Sequence, residues 1–188
     1  MSPERATYQR MELLPQAERV KQDGNAQRYW YELVRDMPLE RGTALDVGAG
    51  NGYGVRILEA GGWQAAGVDL APSVPLKAPV AKGDIASYRG GGVDLVTAMD
   101  VIEHVEDDAA FLAELLRVAG RWVFISTPNY DHSKLVNPFH AREYTWGELQ
   151  ALLRGQTYET WISHGTKVRR PNNDHAGAHS FGVLIEVP

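Results

Sequence analysis

The sequence predicts an α/β protein: a doubly wound, mostly parallel sheet with helices on both faces and an antiparallel C-terminal edge strand. Three observations predict it. Short apolar runs alternate with amphipathic stretches along the middle of the chain, the pattern of strands joined by crossover helices. The first apolar run ends in glycines that open the next helical stretch. The last two apolar runs have no helix between them, so they can pair antiparallel.

Residues 1–41 read as a helical lead-in and candidate lid, followed by a single domain over 42–188. Helices are expected near Ala6–Lys21 and Ala26–Met37, with Asp23-Gly24 between them and Pro15 kinking or ending the first. Thr43–Gly48 is a buried strand and Gly52–Ala60 a helix, stopped by Gly61-Gly62. Trp63–Leu70 is the second strand, and a short third one ends at Asp84. Val93–Met99 and Arg121–Thr127 are strands flanking an amphipathic helix over Asp107–Ala119. Thr145–Arg154 is a helix whose Thr145 and Glu148 form a capping box. Strands near Thr157–His164 and Phe181–Val187 complete the set. Between Leu70 and Gly83, Pro72, Pro75 and Pro79 forbid a regular helix, so an extended loop is expected there.

Composition narrows the class of function. The chain has 188 residues, 44% of them hydrophobic and 23% charged, which suits one folded domain. A net charge of −5 argues against a nucleic-acid partner, which needs a basic face. With no cysteine, neither a disulfide nor a thiolate metal site can form. The N-terminus is charged and lacks an apolar core, so no signal peptide is expected, and no apolar run is long enough for a membrane span. A cytoplasmic protein with no membrane partner follows; the oligomeric state is not legible.

The loop LDVGAGNGYG carries Gly48, Gly50 and Gly52 between a strand and a helix. Glycines allow tight turns and close backbone approach, and a helix N-terminus presents free N–H groups to an anionic or zwitterionic head. The dinucleotide pattern G-x-G-x-x-G fails, because Tyr53 stands where its third glycine would be. Asp69 ends the second strand at the distance where an acid meets a ribose, and both ribose hydroxyls can donate to one carboxylate. Asp84 is placed to accept from the exocyclic amine of adenine, with Ile85 against the ring. A turn or cap role competes for each aspartate taken alone.

The ordered set LDVGAGNG, GVDL, GDI, DLVTAMDVIEHVEDD and FISTPN resembles class I S-adenosylmethionine-dependent methyltransferases, and among them the small O-methyltransferases of the ubiquinone-biosynthesis type. The resemblance runs over roughly Thr43–Leu153. It implies a Rossmann-like fold and S-adenosyl-L-methionine as cofactor, with S-adenosyl-L-homocysteine as product. It places Gly48, Ala49, Gly50 and Gly52 along the methionine end and Asp46 near its amino group. It gives the ribose to Asp69 with Leu70 beside it, the adenine to Asp84 and Ile85, and the neighbourhood of the sulfonium to Met99 and Ala98.

Asp100, Glu103 and His104 follow the fourth strand. Methyl transfer is an in-line displacement, so an enzyme chiefly aligns the nucleophile, and a hydroxyl acceptor also needs a base. His104 has the right basicity, with Glu103 beside it. The spacing D-x-x-E-H also suits a divalent metal, as E-x-x-E-H does in an RNA 2′-O-methyltransferase group. The Asp in first place leaves the metal-free reading preferred. A third possibility is that Glu103 and His104 only support the loop. Asp107 and Asp108 are N-terminal helix acids.

Residues 127–144 form a long connection of the length that often carries function. It holds Tyr130, His132, Lys134, His140, Arg142 and Tyr144, of which His140 and Arg142 are the leading acceptor-side candidates, unless Arg142 merely pairs with Glu148. The tail adds Arg169, Arg170, His175 and His179; Gly177 argues against one helix presenting both histidines to a metal. The expected activity is methyl transfer to a hydroxyl of a small-molecule or saccharide acceptor. The rivals are a metal-assisted RNA methyltransferase, a non-catalytic cofactor-binding protein and an NAD-dependent oxidoreductase.

Overall fold

The computed structural model describes residues 27–172 and 174–188. The helix expected near Ala6–Lys21 lies outside them. Helix α1 (Arg28–Asp36) is followed by β1 (Thr43–Val47), α2 (Tyr53–Ala60), β2 (Gln64–Asp69) and β3 (Val80–Lys82). Next come β4 (Val93–Met99), α3 (Asp108–Val118), β5 (Ala119–Pro128) and the one-turn helix α4 (Tyr130–Ser133). The chain ends with α5 (Trp146–Leu152), β6 (Thr157–His164), β7 (Lys167–Arg169) and β8 (Ser180–Glu186).

The strands form one sheet in the order β3-β2-β1-β4-β5-β8-β6-β7. The first five are parallel. The antiparallel edge expected from the sequence is three strands deep: β8 lies between β5 and β6, and β7 folds back on β6 as a hairpin. Six of the seven residues of β8 are buried, as an interior strand requires.

Alternate residues of the central strands face opposite layers, the two-residue period of a strand. Leu45, Val96, Ala98, Val123 and Ile125 pack with Phe111, Leu112 and Leu115 of α3 and Leu149 of α5. Ala44, Leu95, Met99 and Phe124 pack on the other face with Trp30 and Val34 of α1 and Leu58 of α2. Asp46 and Thr97 share the parity of the second set, so their side chains meet α1.

The capping box is formed: Thr145 accepts from the Glu148 N–H while Glu148 accepts from the Thr145 N–H. Asp107 caps α3 by accepting from Ala110 N at 2.9 Å. The proline-rich stretch between β2 and β3 contains no helix and lies against the glycine loop. Ser73 N donates to Gly50 O at 3.1 Å and Lys77 N to Asn51 O at 2.7 Å. Gly52, at φ +82°, is the residue that lets the two segments close, since a Cβ there would sit 2.9 Å from Ala78 N. No described helix is long and apolar enough to cross a membrane.

Candidate active site

A cavity of about 330 Å³ opens among the carboxyl ends of β1, β2 and β3 and the start of α3, where open α/β sheets bind ligands. Its walls include Gly48, Asp69, Leu70, Asp84, Ile85 and His104. Val105 and Phe111 supply apolar surface beside Ile85. Asp69 Oδ2 accepts from Gly50 N at 2.9 Å and Oδ1 from Ala71 N at 2.7 Å. A carboxylate has about four lone-pair sites, so it can accept from several donors at once. Asp84 also caps the 3-10 turn Ile85–Ser87 by accepting from Ala86 N, so the cap role and a place on the cavity wall coexist.

The other predicted cofactor residues stand back from the cavity. Ala49, Gly50 and Gly52 shape the turn behind it: Gly48 N and Ala49 N donate to Val68 O, and Gly52 begins α2. Met99 is packed into the α1 face. Asp46 is fully buried, accepting from Thr97 Oγ1 at 2.6 Å and from the Tyr31 hydroxyl. Burial raises its carboxyl to about 7, against the pull of those two hydroxyls.

The segment after β4 makes a second cluster. Asp100 adopts φ +52°, a left-handed conformation that Asp tolerates better than most residues. Its N–H donates to Ser126 O, and Ser126 Oγ donates to Asp100 Oδ1 at 2.6 Å. A short 3-10 turn, Ile102–His104, follows. The loop from β5 folds over this turn: Ala141 N and Arg142 N both donate to Glu103 O, at 2.7 and 3.2 Å. His104 Nδ1 meets Phe139 O at 2.9 Å. A carbonyl only accepts, so the ring proton sits on Nδ1, and Nε2 carries the lone pair. Burial lowers this histidine to about 4, which keeps it neutral near pH 7.

Glu103 is fully buried, and neither carboxyl oxygen has a hydrogen-bond partner. Burial, and then the nearby Asp100, push it well above the ordinary carboxyl value. The His104 and His140 rings meet edge to face at 4.7 Å. Donor atoms of Glu103, His104 and His140 all lie within 4.8 Å of one another, so the three predicted catalytic residues are brought together. Their chemistry suits a cation: an unpartnered carboxylate beside an imidazole lone pair.

His140 is tied by Nδ1 to Glu143 Oε1 at 2.7 Å. Burial works against a charged Glu143, but bonds from Ser133, His140 and Leu135 N hold its carboxyl below the usual range. The sequence reading missed Glu143; a carboxylate three residues past a histidine was the available signal. It also missed Tyr31, for which no motif exists. Arg142 pairs with Asp108 at 2.8 Å and approaches Glu148 at 3.8 Å, so both its structural partners are acids of helix ends. In the tail, His175 stacks on Trp146 while His179 stacks on His132, so the two histidines serve different surroundings.

A parallel sheet with a glycine loop after β1 and an acid after β2 defines a Rossmann-like nucleotide-cofactor enzyme. The chain belongs to the methyltransferase domain family, whose model matches residues 22–176. It is 28% identical over 187 residues to a Mycobacterium tuberculosis protein named Probable S-adenosylmethionine-dependent methyltransferase, covering 86% of this chain and 68% of that one. It is 32% identical over 157 residues to the ubiquinone biosynthesis O-methyltransferase of Bordetella parapertussis, covering 74% of this chain and 61% of that enzyme. The fold is shared with the methyltransferase solved in complex with the Haloferax volcanii Trm112 activator, at TM-score 0.70 and 17% identity over 92% of this chain and 95% of that one. The protein is an S-adenosylmethionine-dependent methyltransferase. The cavity fits that cofactor chemically, with a carboxylate at Asp69 able to accept from hydroxyls and apolar walls at Ile85, Val105 and Phe111 suited to a flat base.

Proposed function

We propose that the protein transfers a methyl group to a hydroxyl oxygen of a small-molecule or saccharide acceptor, with His104 as general base. The observation that carries this reading is the fixed tautomer of His104: on the cavity wall, Nδ1 is bound to Phe139 O and Nε2 is left able to accept a proton. Bound S-adenosylmethionine supplies an electrophilic methyl group. Asp69 and Leu70 hold the ribose, Asp84 and Ile85 the adenine. Gly48, Ala49, Gly50 and Gly52 form the turn at the methionine end, with Asp46 and Met99 supporting it from the α1 side. Glu103 and His140 brace the imidazole and exclude water around it. A base lowered to about 4 suits a hydroxyl that is itself acidic, such as a phenol, better than a sugar hydroxyl. The name of the Bordetella relative supports oxygen as the acceptor atom and a small molecule as its carrier.

The test is calorimetric titration with S-adenosylmethionine and S-adenosylhomocysteine beside NAD and NADP, repeated with Asp69→Ala. Binding of the first pair only, weakened about tenfold or more in the variant, is the expected result. Binding of NAD in preference, or no effect of Asp69→Ala, contradicts the assignment.

The cluster of Glu103, His104 and His140, with donor atoms within 4.8 Å, favours a second reading. In it these residues hold a divalent cation, which would lower the pKa of the acceptor hydroxyl. An RNA 2′-hydroxyl is the acceptor this reading first suggests, although the net charge of −5 opposes a nucleic-acid partner. Turnover that survives a chelator decides for the histidine base, and turnover lost with chelator and restored by Mg²⁺ decides for the metal.

A further inference from the structure

We propose that Arg169, His164, His179 and His132 form an anion subsite that takes an oxyanion, phosphate or carboxylate, carried by the methyl acceptor. This rests on reading the loop side of the sheet as the acceptor side.

The four residues come from β7, the end of β6, the residue before β8, and α4. The sheet topology gathers them: His164 ends β6, and Ser163 pairs with Ser180 in the neighbouring strand. His179 precedes Ser180, and its carbonyl accepts from Asn129 N just past the end of β5. The His132 and His179 rings are stacked at 3.7 Å with 10° between their planes. His164 meets His179 edge to face at 6.0 Å. Arg169 Nη2 donates to His164 Nε2 at 3.4 Å.

The hydrogen bonds fix which protons are offered. Gly165 N donates to His179 Nδ1 at 2.8 Å, so the free Nε2 of that ring carries the proton. His164 accepts from Arg169 through Nε2, so its proton is on Nδ1. The guanidinium stays charged at any ordinary pH. Its bonds are to Arg170 O and His164, and it meets no carboxylate among the described residues. Its neighbour Arg170, by contrast, is paired with Glu159. Burial, then His132 and His164, lower His179, with no opposing acid among the described residues. The result is a row of N–H donors that begins at a guanidinium with no carboxylate partner among the described residues, in a chain of net charge −5. Planar guanidinium and imidazole donors suit an oxyanion.

The patch is connected to the reacting cluster. Ser133, beside His132 in α4, donates to Glu143, which holds His140. Asn129, whose N–H meets His179 O, directly follows β5, the strand that carries Ser126, the partner of Asp100.

The test uses histidine side-chain NMR of the full chain, titrated with inorganic phosphate, with acetate, and with sodium chloride at equal ionic strength. His175, stacked on Trp146, is the internal reference. Phosphate is expected to move the ring resonances of His164 and His179 and to raise the apparent pKa of His179 by about half a unit, with no such change at His175. Arg169→Gln is expected to weaken that response about tenfold. A response to acetate as strong as to phosphate assigns a carboxylate acceptor, and a response to phosphate alone assigns a phosphorylated one. Equal effects of phosphate, acetate and chloride, or an unaltered response in Arg169→Gln, overturn the proposal. Titration of the same samples with S-adenosylmethionine separates this failure from that of the methyl-transfer reading. If the cofactor binds but phosphate does not, only the subsite falls.

Discussion

The Tyr31 hydroxyl donates to both carboxylate oxygens of Asp46, at 3.2 and 2.9 Å. This bond joins α1 to the end of β1, just before the glycine loop. Gly54 makes room for it, since a Cβ there would fall 2.1 Å from Tyr31 Cζ. The helix before the sheet is thus part of the support of the glycine loop.

Tyr31→Phe removes one of the two hydroxyl donors of a fully buried carboxylate. The expected loss is about 1–3 kcal/mol of stability, read as a lower urea midpoint. Cofactor affinity measured by calorimetry should fall with it, because Asp46 lies two residues before Gly48. An unchanged midpoint shows that the bond contributes nothing.

Asp46 titrates near 7 in the folded protein and near 3.9 in the unfolded chain. The folded state binds its proton more tightly. Its contribution is therefore most favourable below about pH 4 and is lost as pH rises through about 7. Asp46→Asn removes that dependence. The stability of the variant relative to the parent should rise between about pH 4 and pH 8, measured by denaturant unfolding at each pH. A difference that stays constant with pH contradicts the raised carboxyl.

His104→Gln should lower kcat by about 10²–10⁴ if the ring is the base, while cofactor binding persists. The ring accepts a proton only when neutral, and it is lowered to about 4. The acid limb of kcat/KM should therefore fall near pH 4, with a plateau through neutrality. A limb near the ordinary histidine value of about 6.5 means that the ring is solvated in the working enzyme.

Gly52→Ala places a side chain at φ +82° and 2.9 Å from the backbone of Ala78. A left-handed alanine costs about 1–2 kcal/mol before any overlap. Thermal unfolding should move down accordingly, and cofactor binding should weaken as the proline-rich segment shifts. Full stability in this variant means that the glycine loop moves without resistance.

Much of the site was legible in the sequence because it is built from short-range pattern. A glycine loop after a strand, acids at strand ends and a capping box each depend on residues within a few positions of one another. Gly48, Asp69, Leu70, Asp84, Ile85 and His104 are on the cavity wall. Glu103, His104 and His140 converge although 37 positions separate the first from the last, because the loop after β5 donates two backbone N–H groups to Glu103 O. Asp46 and Met99 turned to the α1 face instead, since strand parity sends them there.

The sequence by itself determined the layered α/β class, the methyltransferase family and the residue types at the end of each strand. Local periodicity and turn chemistry carry the class along the chain, and the resemblance of the ordered motifs carries the family. Only the tertiary structure decided that β8 inserts between β5 and β6. It alone decided that Tyr31 reaches Asp46, that His104 keeps its proton on Nδ1, and that Arg169 meets His164 at the head of a row of histidines. Those outcomes depend on contacts between residues far apart in the chain, where packing and desolvation choose among partners that sequence spacing leaves equivalent.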